Sequence, residues 1–232
     1  MSSMWRAAVI LPVLLATVPS SSAQYGASPS YSPSASTDAS VAYALNDWRT
    51  LRQSSNYRFA DYARFLIANP GWPDESRMRA WAEKAMQQGE NTATVLAFFT
   101  SKKPTSGNGW ARLADAYAAS GRMTEALDAA RNAWASDDLS GEDEQGVWAR
   151  YGRSFTSVDH DRRIDSLLFA KKPSDAARFL SLASPQRQAS FAARIAMQTN
   201  SPDAAARYGA VIGNVTTDAG LKIGRASCRE RV

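Results

Sequence analysis

The stretch WARLADAYAASGRMTEALDAARNAWAS, residues 110–136, decides the fold. Its apolar positions fall at helical spacing twice. Trp110, Leu113, Ala114 and Tyr117 share one face of a first helix, and Ala126, Leu127, Ala130 and Trp134 share one face of a second. Gly121 stands between them at the turn. The small residues let two helices approach closely, while Trp110 and Tyr117 fill the groove toward a neighbouring pair. The unit is therefore a helical hairpin, and such a unit buries its apolar faces only by stacking on others.

Outward from this hairpin the same period persists. Val41, Ala44, Leu45 and Trp48 make a first stripe, and Phe59, Tyr62, Ala63, Leu66 and Ile67 follow at i, i+3, i+4, i+7 and i+8. Asn69-Pro70-Gly71 ends that helix. Pro73 opens the next, with Asp74 and Glu75 in its first turn, where proline loses no needed hydrogen bond and carboxylates meet the positive helix end. Its stripe is Met78, Trp81, Ala82, Ala85 and Met86, and Gly89 stops it. Further on, Ser184-Pro185 and Ser201-Pro202-Asp203 pair an N-cap serine with proline at the first helical position, and Phe191, Ala192, Ile195 and Ala196 form another stripe. No segment longer than a few residues alternates like a strand. The expectation is an all-α fold of about ten short helices, an α-superhelix or solenoid of hairpins rather than a four-helix bundle. Trp110-x-x-Leu113-Ala114-x-x-Tyr117, the glycine turn and Glu125-Ala126-Leu127 resemble a tetratricopeptide-type hairpin.

The chain has 232 residues, 44% hydrophobic and 21% charged, which excludes a disordered tail and a disulfide miniprotein. Residues 1–23 carry Arg6, an apolar run from Ala7 to Val18, and Ser21-Ser22-Ala23, the pattern of a signal peptide. That run is shorter than the roughly 20 apolar residues of a membrane span. Residues 24–40, rich in Ser, Ala, Pro, Tyr and Gly, read as a flexible linker, and residues 41–222 as the helical domain. Residues 223–232 hold the only cysteine, Cys228, and three arginines, and they resemble the in-frame translation of a sequencing-library adapter. The native sequence is accordingly expected to depart at Ile223 and to continue, so that the helical domain is incomplete at its C-terminal end.

The formal charge of +5 shrinks to +2 for residues 24–222 once Arg6 and the two net positive charges of the tail are set aside. That is too mild to support nucleic acid as a partner. A cysteine-free mature chain fits an oxidising compartment. An exported, periplasmic protein without stable membrane insertion after signal cleavage is expected.

Chemistry-bearing motifs are sparse. His160 is the only histidine, which excludes histidine triads and multi-histidine metal sites; Ser157 to Arg163 around it reads as a polar turn and helix start, with His160 bonded locally or facing solvent. There is no Gly-x-x-x-x-Gly-Lys phosphate loop and no Gly-x-Gly-x-x-Gly. Asp137, Asp138, Glu142, Asp143 and Glu144 lack the alternation of a calcium loop and read as a solvated loop and helix start. Glu75 is expected to be exposed. Of Trp48, Trp72, Trp81, Trp110, Trp134 and Trp148, most fall on buried stripes; Trp72, in a turn between Gly71 and Pro73, is the candidate for stacking on a sugar ring.

Three stretches together resemble one family: residues 59–73 with Asn69-Pro70-Gly71-Trp72-Pro73, the hairpin of residues 110–136, and Tyr151-Gly152-Arg153-Ser154-Phe155-Thr156 through Phe169. They look like the N-terminal superhelical region of soluble lytic murein transglycosylases, over residues 41–222. The resemblance implies a parent enzyme in which a helical superstructure holds a lysozyme-like domain. That domain cleaves between N-acetylmuramic acid and N-acetylglucosamine to a 1,6-anhydro end, using one glutamate as acid and then base, without metal or cofactor. The family's catalytic Glu-Ser is followed downstream by a Gly-Leu-Met-Gln-type segment. Glu75-Ser76 is the only Glu-Ser pair here and nothing of that type follows it, so no catalytic residue is assigned and the chain alone is expected to be inactive. Peptidoglycan glycan strands are the implied partner of the full protein. The alternative reading is a complete periplasmic helical-repeat adaptor that binds protein partners in its concave face.

Overall fold

The computed structural model describes residues 35–211 and 220–221, and every regular element among them is helical. The order is α1 (Ala35–Leu51), α2 (Phe59–Ala68), α3 (Glu75–Ala85), α4 (Thr92–Ser101), α5 (Gly107–Ala119), α6 (Met123–Ala135), α7 (Gly141–Tyr151), α8 (Ser157–Phe169), α9 (Pro173–Ala177), α10 (Pro185–Gln198) and α11 (Ala204–Val211). Single 3₁₀ turns follow α7 at Gly152–Ser154 and α9 at Leu180–Leu182. Residues 1–23, read from the sequence as a signal peptide, and residues 223–232, read as an artefactual tail, lie outside the described residues. The last six residues of the stretch read as linker, residues 35–40, are instead the start of α1, because alanine-rich sequence carries the helix backward at little cost.

The fold is all-α. Its principal contacts join helices one or two apart in the chain: α2 packs on α3 and α4, α5 on α4, α6 and α7, α8 on α6, α9 and α10, and α10 on α11. The most extensive packing joins α5 to α6, and Ala111, Ala114, Ala126 and Ala130 of these helices are all buried. Fully buried Phe59, Tyr62, Leu66, Met78, Phe98, Trp134, Ile164, Leu167 and Phe191 run through the hairpins as a continuous apolar layer, each contributing about 1.5–3 kcal/mol of burial. On α2 the buried stripe is displaced from the expected one. Phe65 is buried and Ile67 is 41% exposed, because Trp72 in the following turn packs edge-on against Phe65 at 5.5 Å and covers that side of the helix.

One turn geometry recurs three times. After α5, α8 and α10 the chain passes through a left-handed residue: Gly121 at φ 74°, Lys171 at φ 58° and Asn200 at φ 52°. In each case the next amide reaches back to close the helix end, Arg122 N–H to the Tyr117 carbonyl at 2.9 Å, Lys172 to Leu167 at 2.8 Å and Ser201 to Ala196 at 2.9 Å. Ser201 is therefore the closing residue of the α10 turn rather than the N-cap of α11, which starts at Ala204. Likewise α3 starts at Glu75 and not Pro73, since Asp74 at φ 62° interrupts the helical backbone. A β-carbon makes the left-handed conformation costly, so Lys171→Gly is expected to stabilise the fold by about 0.5–1 kcal/mol. An unchanged or lowered urea midpoint for that variant would show that the strain is relieved by other contacts.

Candidate functional site

Trp72 serves the scaffold. Its ring lies against Trp48 at 6.3 Å and Phe65 at 5.5 Å, Trp48 donates its indole N–H to the Pro73 carbonyl at 2.9 Å, and Arg52 stacks on Trp48 at 4.4 Å. The aromatic residue of the turn thus pins α1 to the α2–α3 corner. Of the other tryptophans, Trp134 is fully buried, Trp48, Trp81 and Trp110 are half-buried, and Trp148 is exposed along one face while its other face stacks on Trp134 at 5.2 Å.

The carboxylates expected at the surface are largely drawn inward. Glu75 is buried, not exposed: it accepts from Arg79 at 2.7 Å and from the Gly71 amide at 2.8 Å, and pairs with Lys102 at 3.2 Å. Burial pushes its carboxyl up, but the hydrogen bonds from Arg79, the Gly71 amide and Lys102 outweigh that and hold it at about 2. It is an anion throughout the physiological range and has no proton to give. In the acidic run, Glu142 is exposed as expected, whereas Asp143 and Glu144 are buried, because arginines of other helices meet them: Arg112 of α5 binds Asp143, and Arg163 of α8 together with Arg178 binds Glu144. Such pairs fix which helix faces which more than they add stability.

His160 also departs from expectation. It is buried against Trp134 (6.0 Å), Trp148 (5.7 Å) and Phe155 (6.3 Å), and its Nδ1 has no hydrogen-bond partner. Burial pushes the imidazole below its ordinary value of 6.5, with Asp159 and Asp161 opposing the shift. The unfolded chain therefore binds the proton more readily than the folded one, and stability is lost as pH falls below 6.5. The contribution of Glu75 is lost in a separate window, between 4.5 and about 2. Urea midpoints measured from about pH 7 to about pH 5 are expected to fall with acid, and His160→Leu to flatten that dependence. Equal slopes for the two proteins would remove His160 from the account.

Open depressions remain among the described residues. One, of about 640 Å³, lies between α4, α5 and α6. Leu96 and Leu113 are among the apolar groups lining it, Trp110 and Tyr117 stand at the two ends of α5, and Lys102, Lys103 and Arg122 supply cations. A second, of about 410 Å³, is polar and bounded by Gln87, Gln88, Asn108, Arg112 and Glu142. A third, of about 520 Å³, is a shallow apolar groove between Leu180 and α10. Among the described residues no group of three or more His, Cys, Asp or Glu side chains is placed to hold a metal ion, and no helix is long and apolar enough to cross a membrane. The α4–α5–α6 cleft is the candidate site, and its chemistry is that of binding. Sequence reasoning placed Trp110 and Tyr117 on a hairpin but missed Lys102 and Lys103; the signal was two adjacent lysines in the polar run between Ser101 and Gly107.

Family models, curated proteins and solved structures were all searched with this chain, and none matches.

Proposed function

We propose that the chain is the helical, non-catalytic N-terminal portion of an exported peptidoglycan lytic transglycosylase, in which stacked hairpins form a superhelical scaffold for a separate catalytic domain. The observation that carries the reading is where the resembling stretches lie. They fall on α2 and its turn toward α3, on the α5–α6 hairpin, and on the end of α7 with α8, and α8 packs on α6. In and beside them, acidic side chains that invite a catalytic role are spent: Glu75 on Arg79 and Gly71, Asp159 on the Thr156 amide at 2.8 Å, and Asp161 on the Ser184 amide at 2.9 Å. A general acid needs a proton at working pH, and Glu75, held at about 2, has none to give.

The decisive experiment is to sequence native genomic DNA across the codon for Lys222, using a library without the suspected adapter. The native frame is expected to depart from this sequence at Ile223 and to run on into a segment with Glu-Ser and Gly-Leu-Met-Gln. A stop directly after Val232 overturns the reading in favour of a helical-repeat adaptor. Release of anhydro-muropeptides from purified murein by the 232-residue chain alone would overturn the scaffold role.

A further inference from the structure

We propose that the α4–α5–α6 cleft is a saccharide subsite that takes a glycan strand bearing carboxylate groups. The turn from α4 into α5 brings Lys102 and Lys103 to the end of the cleft where Trp110 stands in the first turns of α5. Tyr117 lies seven residues on, about 10 Å along the helix axis, a length that spans roughly one disaccharide. Leu96 and Leu113 help to line the space between.

What is unspent in this cleft defines the ligand. Lys102 is committed to Glu75 at 3.2 Å, and Arg122 to Glu125 at 3.0 Å while stacking on Tyr117 at 4.4 Å; the other carboxylate of the lining, Asp128, is committed to Arg131 at 3.2 Å. Lys103 is exposed and has no ion pair among the described residues, so the unneutralised cation of the cleft is its ammonium. The half-buried Trp110 donates its indole N–H, and Tyr117 its phenol O–H, to no group among the described residues. A flat apolar surface with a donor at its rim suits a pyranose, whose C–H face packs on the ring while its hydroxyl or acetamide oxygens accept. The free ammonium selects a strand with carboxylates over a neutral one.

An extended peptide is a poorer occupant. The cleft is walled by helices whose backbone groups are already paired, so it offers no strand edge for a peptide backbone to join, and the ion pairs along α6 break the apolar stripe that an amphipathic helix needs. The choice of cell-wall glycan as probe rests on the proposed function; the cleft's chemistry does not.

The test titrates the full chain with peptide-free murein glycan strands and with a neutral chito-oligosaccharide of equal length, read by calorimetry and tryptophan fluorescence. Saturable binding of the strand is expected. Lys103→Glu is expected to weaken the strand by about tenfold while leaving the neutral oligosaccharide unchanged, and Trp110→Phe to weaken both several-fold. Circular dichroism verifies that each variant is folded, and Lys103, being exposed, tests the site even where Trp110→Phe does not fold. The proposal is overturned by absence of saturable glycan binding, by strand affinity unchanged in Lys103→Glu, or by an acidic peptide that binds as tightly as the strand. Glycan binding here with a native frame that stops at Val232 would sink the proposed function and leave the cleft standing. A frame that runs on into the catalytic segment, without glycan binding here, would sink only the cleft.

Discussion

Trp134→Ala is expected to lower folding stability by about 3–5 kcal/mol, the largest loss of any single truncation in this chain. Trp134 is 1% exposed and is the largest fully buried side chain. Its ring stacks on Trp148 at 5.2 Å, meets Phe155 at 5.4 Å and Phe179 edge-on at 5.1 Å, and lies under the Arg163 guanidinium at 5.4 Å. Those partners come from α7, the turn before α8, the turn after α9, and α8, so one side chain of α6 joins four segments. Removing it opens a cavity that helices already in contact cannot collapse to fill, and it leaves Arg163 with Phe179, at 5.7 Å, as its remaining aromatic cover. Urea denaturation followed by far-UV circular dichroism is the measurement, since the substitution removes one of the seven tryptophans and alters the fluorescence baseline. With a slope of about 1–3 kcal/mol per molar urea, the midpoint should fall by more than about 1 M. The indole N–H has no partner, so Trp134→Phe keeps most of the packing, orphans nothing, and should lose clearly less. A midpoint within about 0.3 M of the parent for the alanine variant would contradict the packing described for this layer.

The contrast between Trp134 and the residues around it separates what the sequence discloses from what it hides. Apolar faces are legible because burial repeats every 3.6 residues along one helix, and the hairpin from Trp110 to Trp134 forms at the residues that its period marks. Charged partners are legible only when local. Glu75 and Arg79 are four residues apart, an ordinary helical pair, and that spacing signals a tie. Arg112 and Asp143 are 31 residues apart, and Arg163 and Glu144 are 19 apart, so their burial depends on which helix meets which. His160 was read as polar because Asp159 and Asp161 flank it, yet it points away from solvent into rings supplied by α6 and α7. The recurrent turn is hidden for another reason. Glycine announces the left-handed position at residue 121, whereas Lys171 and Asn200 adopt it under tertiary constraint, and only the prolines that follow mark the spot. The cleft falls between these cases: Trp110 and Tyr117 show in the period, and the lysines that give it charge lie outside every helix.

Glu83→Ala is expected to cost about 3 kcal/mol or more, and the cost should be coupled to a glycine 26 residues away in sequence. Glu83 is 2% exposed and meets no cation among the described residues; its carboxylate is held by four donors at the start of α5. Thr105 donates its amide at 3.0 Å and its hydroxyl at 3.1 Å, and Ser106 donates its amide at 2.8 Å and its hydroxyl at 2.6 Å. Ser106 Oγ in turn accepts the Gly109 amide at 3.0 Å, so the anion of α3 organises the N-cap of α5 and sits at its positive end. Space there is as tight as the bonding. A β-carbon on Gly109 would lie 2.5 Å from Glu83 Oε2 and 3.1 Å from Pro104 Cβ. Gly109→Ala in the parent must therefore displace the carboxylate or shift α5, and it should destabilise although alanine is the better helix former by about 1 kcal/mol. In the Glu83→Ala background the obstructing oxygen is gone and only Pro104 remains close, so the same substitution should cost far less or stabilise. The double-mutant cycle of urea midpoints is expected to show a coupling of about 1 kcal/mol or more. Losses that add within about 0.5 kcal/mol would mean that the carboxylate and the glycine do not share this site, and the account of how α3 positions α5 would fail with them.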